Sequence, residues 1–64
     1  MKIESAWENN GDTFTDVSFE NSELMCTVKK CKSGLTYVMQ EEDGRTNIPN
    51  GVREEDIVNF VKTA

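Results

Sequence analysis

Polar and apolar residues alternate through the N-terminal part of the chain, and this alternation is typical of β-strands with one buried face. In the opening segment KIESAWE, Ile3 and Trp7 fall on one side of a strand and the glutamates fall on the other. In the next segment, TFTDVSFE, Val17 and Phe19 share a side in the same way. These patterns predict two strands that each turn one face toward a core.

The turn between these strands decides which residues lie opposite each other. A two-residue Asn-Gly turn would place Trp7 opposite Phe14, whereas a longer turn ending in a glycine bulge would place Trp7 opposite Thr13. We predict the longer turn, because it sets Ile3 opposite Val17 and keeps Trp7 on the same inner side. A shift of one residue would move every side chain of the strand to the other face.

Three further turn signals extend the sheet into a meander: the dipeptides Asn21-Ser22 and Asp43-Gly44, and the loop CKSG between them. Together they predict a set of cross-strand partners on the inner face. These are Phe19 with Leu24, Val17 with Cys26, Val28 with Tyr37, Cys26 with Met39, and Met39 with Ile48. The four turns agree on one inner face, and agreement between independent local signals supports a single fold.

The spacing changes to that of a helix in the segment VREEDIVNFVKTA. Ile57, Phe60 and Val61 form an apolar stripe. Three acidic residues at 54–56 occupy the first turn, where the helix dipole favours negative charge. We therefore predict a C-terminal helix that covers one face of the sheet.

The predicted fold class is α+β, a five-stranded antiparallel meander with a C-terminal helix, in one small domain of residues 1–64. The alternative is that the consecutive strands curl into a small SH3-like barrel, and the pattern does not separate these two outcomes. A chain of 64 residues buries only about 60% of the surface that it exposes when unfolded, which leaves little room for a deep cleft.

Acidic residues recur at every fourth position of the first hairpin: Glu4, Glu8, Asp12, Asp16 and Glu20. The predicted register brings them together on the outer face or its rim as like-charged pairs. These pairs are Glu4 with Asp16, Glu8 with Asp12, and Glu20 with Glu23. Like charges directly across a ladder destabilise a sheet by roughly 0.2–1 kcal/mol per pair.

An apolar stripe is predicted on the same outer face, beyond the reach of the helix: Ala6, Phe14, Met25 and Val38. Acidic residues around exposed Phe14 and Met25 are typical of a surface that binds a protein partner with a basic surface. The charges would steer the partner and the apolar side chains would anchor it. The alternative is that the acids only solvate the exposed side of an antiparallel sheet.

The same residues also allow other partners. The apolar stripe could pair two copies into a homodimer, and the chain could be an SH3-like adaptor or a self-assembling subunit that recognises a peptide or its own copy. Lys29, Lys30 and Lys32 form a basic cluster, but the net charge of −5 repels phosphate backbones, so nucleic acid is not favoured.

No set of residues suited to catalysis stands out. The chain has no histidine, and it lacks a phosphate-binding loop, a dinucleotide fingerprint, a nucleophile elbow and a calcium loop. Cys26 is predicted to point inward and Cys31 to lie in a loop, so the two thiols should stay free and apart. We expect a protein that is not an enzyme and that needs no metal and no cofactor.

No long uninterrupted apolar run occurs, so neither a membrane span nor a signal-peptide core is predicted. We expect Met1 to be the native start and the protein to remain in the cytoplasm. In size and acidity the chain is similar to the small accessory proteins that bacteriophages and other mobile elements make to bind and block a host protein, some of which imitate the charge of DNA. That similarity implies an inhibitor or modulator of another protein.

Overall fold

The computed structural model describes residues 1–64 and shows an α+β fold with one antiparallel sheet and one C-terminal helix. The elements are β1 (Lys2–Asn9), β2 (Asp12–Phe19), β3 (Ser22–Lys30), β4 (Thr36–Val38) and α1 (Glu54–Thr63). The strands are neighbours in chain order, so the sheet is a meander. The predicted class, antiparallel meander and terminal helix are confirmed. The prediction of five strands is wrong, because the sheet has four, and it is open rather than closed into a barrel.

The core lies between α1 and one side of the sheet, which we call the inner face. Its buried members are Val17, Cys26, Val28, Val38 and Ile57. Ile57 is the buried residue of the helix, and its neighbours on the apolar stripe pack beside it half-buried. The helical spacing thus directs one stripe of α1 onto the sheet, as predicted. We call the opposite surface of the sheet the outer face.

The first hairpin closes through a two-residue turn at Asn10 and Gly11, whose φ angles are 54° and 85°. Left-handed conformation at both central residues is that of a type I′ turn, and Asn-Gly adopts it at the lowest cost. The turn places Trp7 opposite Phe14. The predicted pairing of Trp7 with Thr13 is therefore wrong, because the type I′ turn matches the twist of the strands better than a longer turn does.

A bulge further along the hairpin restores part of the predicted register. The register shifts between Ile3 and Ser5, which makes Glu4 an extra residue in β1. Beyond the bulge Ile3 pairs with Val17, as predicted. One inserted residue changes the face on which all following side chains lie. Ile3 therefore stays on the inner face, whereas Trp7 lies on the outer face, contrary to the prediction.

The second hairpin keeps its predicted register near the core but not near its turn. Val17 pairs with Cys26, as predicted, whereas Phe19 pairs with Ser22 rather than Leu24. The hydroxyl of Ser22 accepts a hydrogen bond from the backbone N–H of Leu24 at 3.1 Å. This local turn takes up the extra residues of β3 before the ladder resumes.

The third hairpin differs from the prediction by one residue. Val28 pairs with Val38 and Lys29 pairs with Tyr37, rather than Val28 with Tyr37 and Cys26 with Met39. The cause is the length of the loop, which spans residues 31–35 and thus contains one residue more than predicted. As a result Val38 is buried in the core, whereas Tyr37 lies on the outer face.

No fifth strand follows β4, and the predicted pairing of Met39 with Ile48 does not form. A turn is present near the predicted site, where the backbone N–H of Glu41 donates to the carbonyl of Arg45 at 2.7 Å. The chain then leaves the sheet. The position that a fifth strand would take beside β4 is partly filled by Glu54, the first residue of α1.

Candidate docking surface

The centre of the outer face is a row of four side chains, one from each strand, which we call the aromatic row: Trp7, Phe14, Lys29 and Tyr37. Each member is directly opposite the next in the strand registers. The rings of Trp7 and Phe14 are stacked, with centroids 5.6 Å apart and planes inclined by 10°. The Nζ atom of Lys29 lies 5.8 Å from the centroid of Phe14. Trp7 is 46% exposed, although it belongs to this ordered stack.

The ammonium group of Lys29 contacts an acidic and an aromatic side chain of the same chain. Its Nζ atom lies 3.8 Å from the carboxylate of Asp12, and both side chains are about a quarter exposed. The cation also faces the ring of Phe14, an arrangement that is worth about 0.5–1 kcal/mol at exposed sites. The positive charge of Lys29 is thus partly neutralised before any partner arrives.

Asp16 lies beside the aromatic row and is fixed by hydroxyl groups from both neighbouring strands. Ser5 on β1 donates to Oδ2 at 3.0 Å, and Thr27 on β3 donates to Oδ1 at 2.6 Å. Hydrogen bonds to an ionised acceptor are shorter and stronger than neutral ones. The carboxylate of Asp16 is therefore held in one orientation.

Glu4 and Asp12 are oriented in a similar way at the two ends of the first hairpin. Ser18 donates its hydroxyl hydrogen to Oε2 of Glu4 at 2.6 Å. The backbone N–H of Lys32 donates to Oδ1 of Asp12 at 3.1 Å, which ties the β3–β4 loop to the first turn. The bulge at Glu4 is what brings this side chain to the same side of the sheet as Ser18.

The structure separates the acidic residues that the sequence predicted to lie together. Glu4, Asp12 and Asp16 are on the outer face. Glu8 is opposite Thr13 on the inner side, and Glu20 lies in the β2–β3 turn.

None of the predicted like-charged pairs on the first hairpin forms. Asp16 is opposite Ser5, Glu8 is opposite Thr13, and Asp12 is opposite Asn9. The two-residue turn and the bulge are the cause, because together they shift the register between Ser5 and Asn9 by one residue relative to the predicted one.

The predicted apolar stripe is also divided. Phe14 and Met25 lie on the outer face, whereas Val38 is buried on the inner face and Ala6 is opposite Thr15 on the inner side. Met25 is 46% exposed, but it lies four positions along β3 from Lys29 of the aromatic row, a distance of about 13 Å. Phe14 and Met25 therefore do not form one contact patch.

Trp7 and Tyr37 were predicted to lie on the inner face but lie on the outer face. The signal for Trp7 was present in the Asn-Gly dipeptide, which favours a two-residue turn more strongly than any other. No comparable local signal marked Tyr37, because its face depends on the number of residues in the β3–β4 loop.

Neither cysteine is placed for nucleophilic chemistry. Cys26 is buried and Cys31 is half-buried, and both are free. Burial, and to a smaller extent the negative charge of Asp16, raises the pKa of the Cys26 thiol, so the thiol stays protonated near neutral pH. No group of three or more cysteine or carboxylate side chains is arranged to hold a metal ion.

A shallow pocket of about 370 Å³ opens where the β2–β3 turn meets the segment 49–52. Glu20 is the one ionisable side chain that lines it, beside apolar atoms of Phe19 and Val52. A single exposed carboxylate provides no pair of groups for acid–base work. The aromatic row and its flanking carboxylates are thus the most distinctive surface of the molecule.

The ten residues of α1 are too few to cross a bilayer, and the structure contains no helix that is long and apolar enough to do so. Comparison of the chain with models of protein families, with curated proteins and with solved structures finds no match. The geometry of the outer face is therefore the feature of the molecule that bears on its function.

Proposed function

We propose that this protein is a non-enzymatic protein-binding module of the cytoplasm, an inhibitor or modulator that docks its outer face on a basic surface of a partner protein. One observation carries the proposal. An exposed tryptophan, Trp7, is stacked on Phe14 at the centre of a sheet face, and oriented carboxylates lie beside it.

The stack favours binding because its order exists before the partner arrives. A large aromatic side chain that is already held in place loses little conformational freedom on association. Tryptophan is among the residues most enriched at the energetic centres of protein interfaces. Trp7 meets both conditions, since Phe14 holds one ring face while nearly half of the side chain is still in contact with solvent.

The flanking carboxylates indicate the chemistry of the partner. Asp16 and Glu4 are ionised acceptors whose orientation is set by hydroxyl donors. An arginine of the partner could stack its guanidinium plane on an aromatic ring and also pair with a carboxylate, a combination that lysine does not match. We therefore expect the docking site on the partner to present arginine.

The docking set differs from the one that the sequence predicted. Trp7 joins Phe14 as the anchor, and Glu4, Asp12 and Asp16 supply the steering charge. Met25 is an outlying apolar contact at the far end of the same face. Glu8 and Glu20 contribute only to the overall charge, because they do not share the outer face with the aromatic row.

The basic cluster does not support a nucleic-acid partner. Lys29 is engaged with Asp12 and with Phe14. The side chain of Lys32 lies so close to Gly11 that a Cβ atom on that glycine would collide with it. The contact with Gly11 involves the methylene groups of Lys32 and not its charge, so Lys30 and Lys32 are the two cations of the cluster without an ion pair. Two such charges stand against a net charge of −5.

Affinity capture from an extract of the cells that make the protein tests the proposal when it includes matched bait variants. The variant pair is Glu4→Gln with Asp16→Asn, and its control is Glu8→Gln with Glu42→Gln, which removes the same charge away from the outer face. Trp7→Ser removes the anchor. We expect one partner to be retained by the wild type and by the control, and to be lost from Trp7→Ser and weakened by the outer-face pair.

The salt dependence provides a second readout. Attraction between exposed charges is largely screened at high ionic strength, so the captured partner should elute progressively as salt is raised. Retention that is insensitive to salt, or equal retention by wild type and Trp7→Ser, would contradict docking through the outer face.

A further inference from the structure

The outermost member of the aromatic row has one ring face without a neighbour. Trp7 lies on β1, which is the first strand of the sheet and has β2 on one side only. Phe14 covers the ring face that points toward β2. The other face points away from the sheet, into the position that a further strand beside β1 would occupy.

The backbone of β1 is also unpaired along that edge. Asn9 and Asp12 close the two-residue hairpin, and such a pair is joined by two backbone hydrogen bonds. Along β1, residues whose backbone groups bond to β2 then alternate with residues whose backbone groups point away from it. Trp7 therefore bonds to β2, whereas the N–H and C=O groups of Ala6 and Glu8 point away from the sheet. The edge of β1 thus presents both backbone hydrogen-bonding groups and a free aromatic face.

We propose that a second copy of this chain occupies the edge, with the two β1 strands antiparallel and Trp7 opposite Trp7 of the partner subunit. In this register Trp7 would occupy a position without direct hydrogen bonds, where the Cα atoms of opposite residues are only about 4.5 Å apart and the side chains are closest. Ala6 and Glu8 would supply about four interchain hydrogen bonds.

The charges of β1 favour this register over its neighbour. With the two tryptophans opposite each other, Ser5 faces Asn9 of the partner subunit and Ala6 faces Glu8 of the partner subunit, so no like charges lie directly opposite each other. In the alternative register, with Ser5 opposite Trp7 of the partner subunit, Glu8 would face Glu4 of the partner subunit. Like charges directly opposite destabilise a ladder.

The self-paired edge also completes the aromatic row. Across the two-fold axis the row would run through Tyr37, Lys29, Phe14 and Trp7, and then through the same residues of the partner subunit in reverse order. Cross-strand aromatic pairs are among the pairs that stabilise sheets. A second copy supplies such a ring at the required position without any further assumption about its sequence.

The opposite edge of the sheet explains why the assembly would stop at two copies. β4 has only three residues, and the backbone N–H of Val38 is occupied by the carboxylate of Glu54 at 3.1 Å. A blocked edge on one side and an open edge on the other allow a closed two-fold dimer and disfavour an open chain of sheets. The bulge at Glu4 limits the seam to residues 5–9, so we expect reversible association.

This inference does not depend on the proposed function, although a second copy and a docked partner would compete for the exposed side of Trp7. Salt affects the two in opposite directions. Each copy carries a net charge of −5, so two copies repel each other and screening by salt should strengthen the dimer. Docking on a basic partner should instead weaken as salt rises. Failure of one proposal therefore leaves the other intact.

Sedimentation equilibrium of the full chain from about 10 µM to about 1 mM, at low and at high salt, tests the dimer directly. We expect a reversible rise from monomer to dimer mass, at lower concentration in high salt. Ala6→Pro should remain a folded monomer, because proline removes an outward N–H that β2 does not use. The matched control Ala6→Val keeps the N–H and should dimerise as the wild type does.

Three further measurements decide the outcome if Ala6→Pro does not fold. Hydrogen exchange at the amides of Ala6 and Glu8 should slow as the concentration of the wild type rises. Trp7→Ser should weaken the dimer several-fold, up to about tenfold, as expected for the loss of an aromatic pair. The emission of Trp7, the sole tryptophan, should shift as the dimer forms.

Several results would overturn the proposal. In the first, the wild type stays monomeric to about 1 mM in high salt. In the second, Ala6→Pro is folded and still dimerises. In the third, hydrogen exchange at the amides of Ala6 and Glu8 does not change with protein concentration. A wild type that stays monomeric, but whose β1 edge binds a strand of another protein, would show that the edge takes a different occupant and would also overturn it.

Discussion

The carboxylate of Glu54, at the start of α1, accepts a hydrogen bond from the backbone N–H of Val38 on β4 at 3.1 Å. Val38 already belongs to the ladder with β3, so Glu54 satisfies the group that faces away from the sheet. The contact joins the N-terminus of the helix to the last strand. It also blocks the edge on which a fifth strand would have paired.

Replacement of Glu54 by alanine should lower the free energy of unfolding by about 1.5–3 kcal/mol, the usual contribution of a hydrogen bond to a charged group. Glu54→Gln retains an oxygen acceptor and should cost less. Glu55→Ala is the control, because the Glu55–Arg53 ion pair is exposed and such pairs contribute roughly 0–1 kcal/mol. Urea unfolding measures all three. Equal losses for Glu54→Ala and Glu55→Ala would mean that the contact with Val38 does not stabilise the fold.

Gly11→Ala and Gly34→Ala separate two costs in the turns. Both glycines have positive φ angles, of 85° and 97°, and a residue with a Cβ atom loses about 1–2 kcal/mol in such a conformation. A Cβ atom on Gly11 would also collide with the side chain of Lys32, whereas none would be hindered at Gly34. We expect Gly11→Ala to be the more destabilising variant in urea unfolding. The opposite order would show that Lys32 moves aside without cost.

The stack of Trp7 on Phe14 should appear as a coupling energy. A double-mutant cycle with Trp7→Ser and Phe14→Ser should yield about 0.5–1.5 kcal/mol, the range for aromatic pairs. A control cycle of Trp7→Ser with Tyr37→Ser spans three strand spacings, about 14 Å. The control changes should add within about 0.5 kcal/mol. Additive effects in both cycles would mean that the rings do not interact in solution.

The raised pKa of the Cys26 thiol predicts a loss of stability at alkaline pH. The unfolded chain releases this proton at about pH 8.5, where the folded chain still retains it. The contribution of Cys26 should therefore be complete below about pH 8.5 and should fall as the pH rises through the higher pKa of the folded thiol. Urea unfolding across this range should show the decline in the wild type and in Cys31→Ala, and a smaller decline in Cys26→Ala.

The loop after β4 should show a local response at acidic pH. The side chain of Arg45 donates to Asp43 at 2.7 Å and its backbone N–H donates at 3.0 Å, and these bonds lower the pKa of Asp43. Order in this loop should persist above the usual range for aspartate and should be lost as the pH falls through the lowered pKa. Carbon NMR titration of the carboxyl group measures the midpoint. Arg45→Ala should raise the pKa, and an unchanged midpoint would exclude the side-chain bond as its cause.

The first hairpin shows how far local signals reach. The Asn-Gly dipeptide carried a strong preference for a two-residue turn, and the structure follows it. The predicted bulged turn went against this preference so that Ile3 could be buried with Val17. The structure satisfies both by placing the extra residue at Glu4, within the strand. No feature of the sequence marks Glu4 as the site of a bulge, because its position depends on pairing with β2.

The candidate docking surface was predictable in part for the same reason. Phe14 and Asp16 were assigned to the outer face and lie there, since both follow from alternation within β2. Trp7 and Glu8 exchanged faces, because their positions depend on the register between two strands. As a result, the outer face carries the aromatic row with carboxylates beside it, instead of the predicted series of acidic residues.

The sequence by itself determined the α+β class, the limits and apolar stripe of the helix, and the inward positions of Val17 and Cys26. Each of these follows from spacing within one segment. Only the tertiary structure decided the faces of Trp7 and Tyr37, the number of strands and the identity of the open edge. A shift of one residue between strands leaves every local propensity unchanged. The register is therefore decided by contacts between residues far apart in the chain, such as Ile3 with Val17 and Glu54 with Val38.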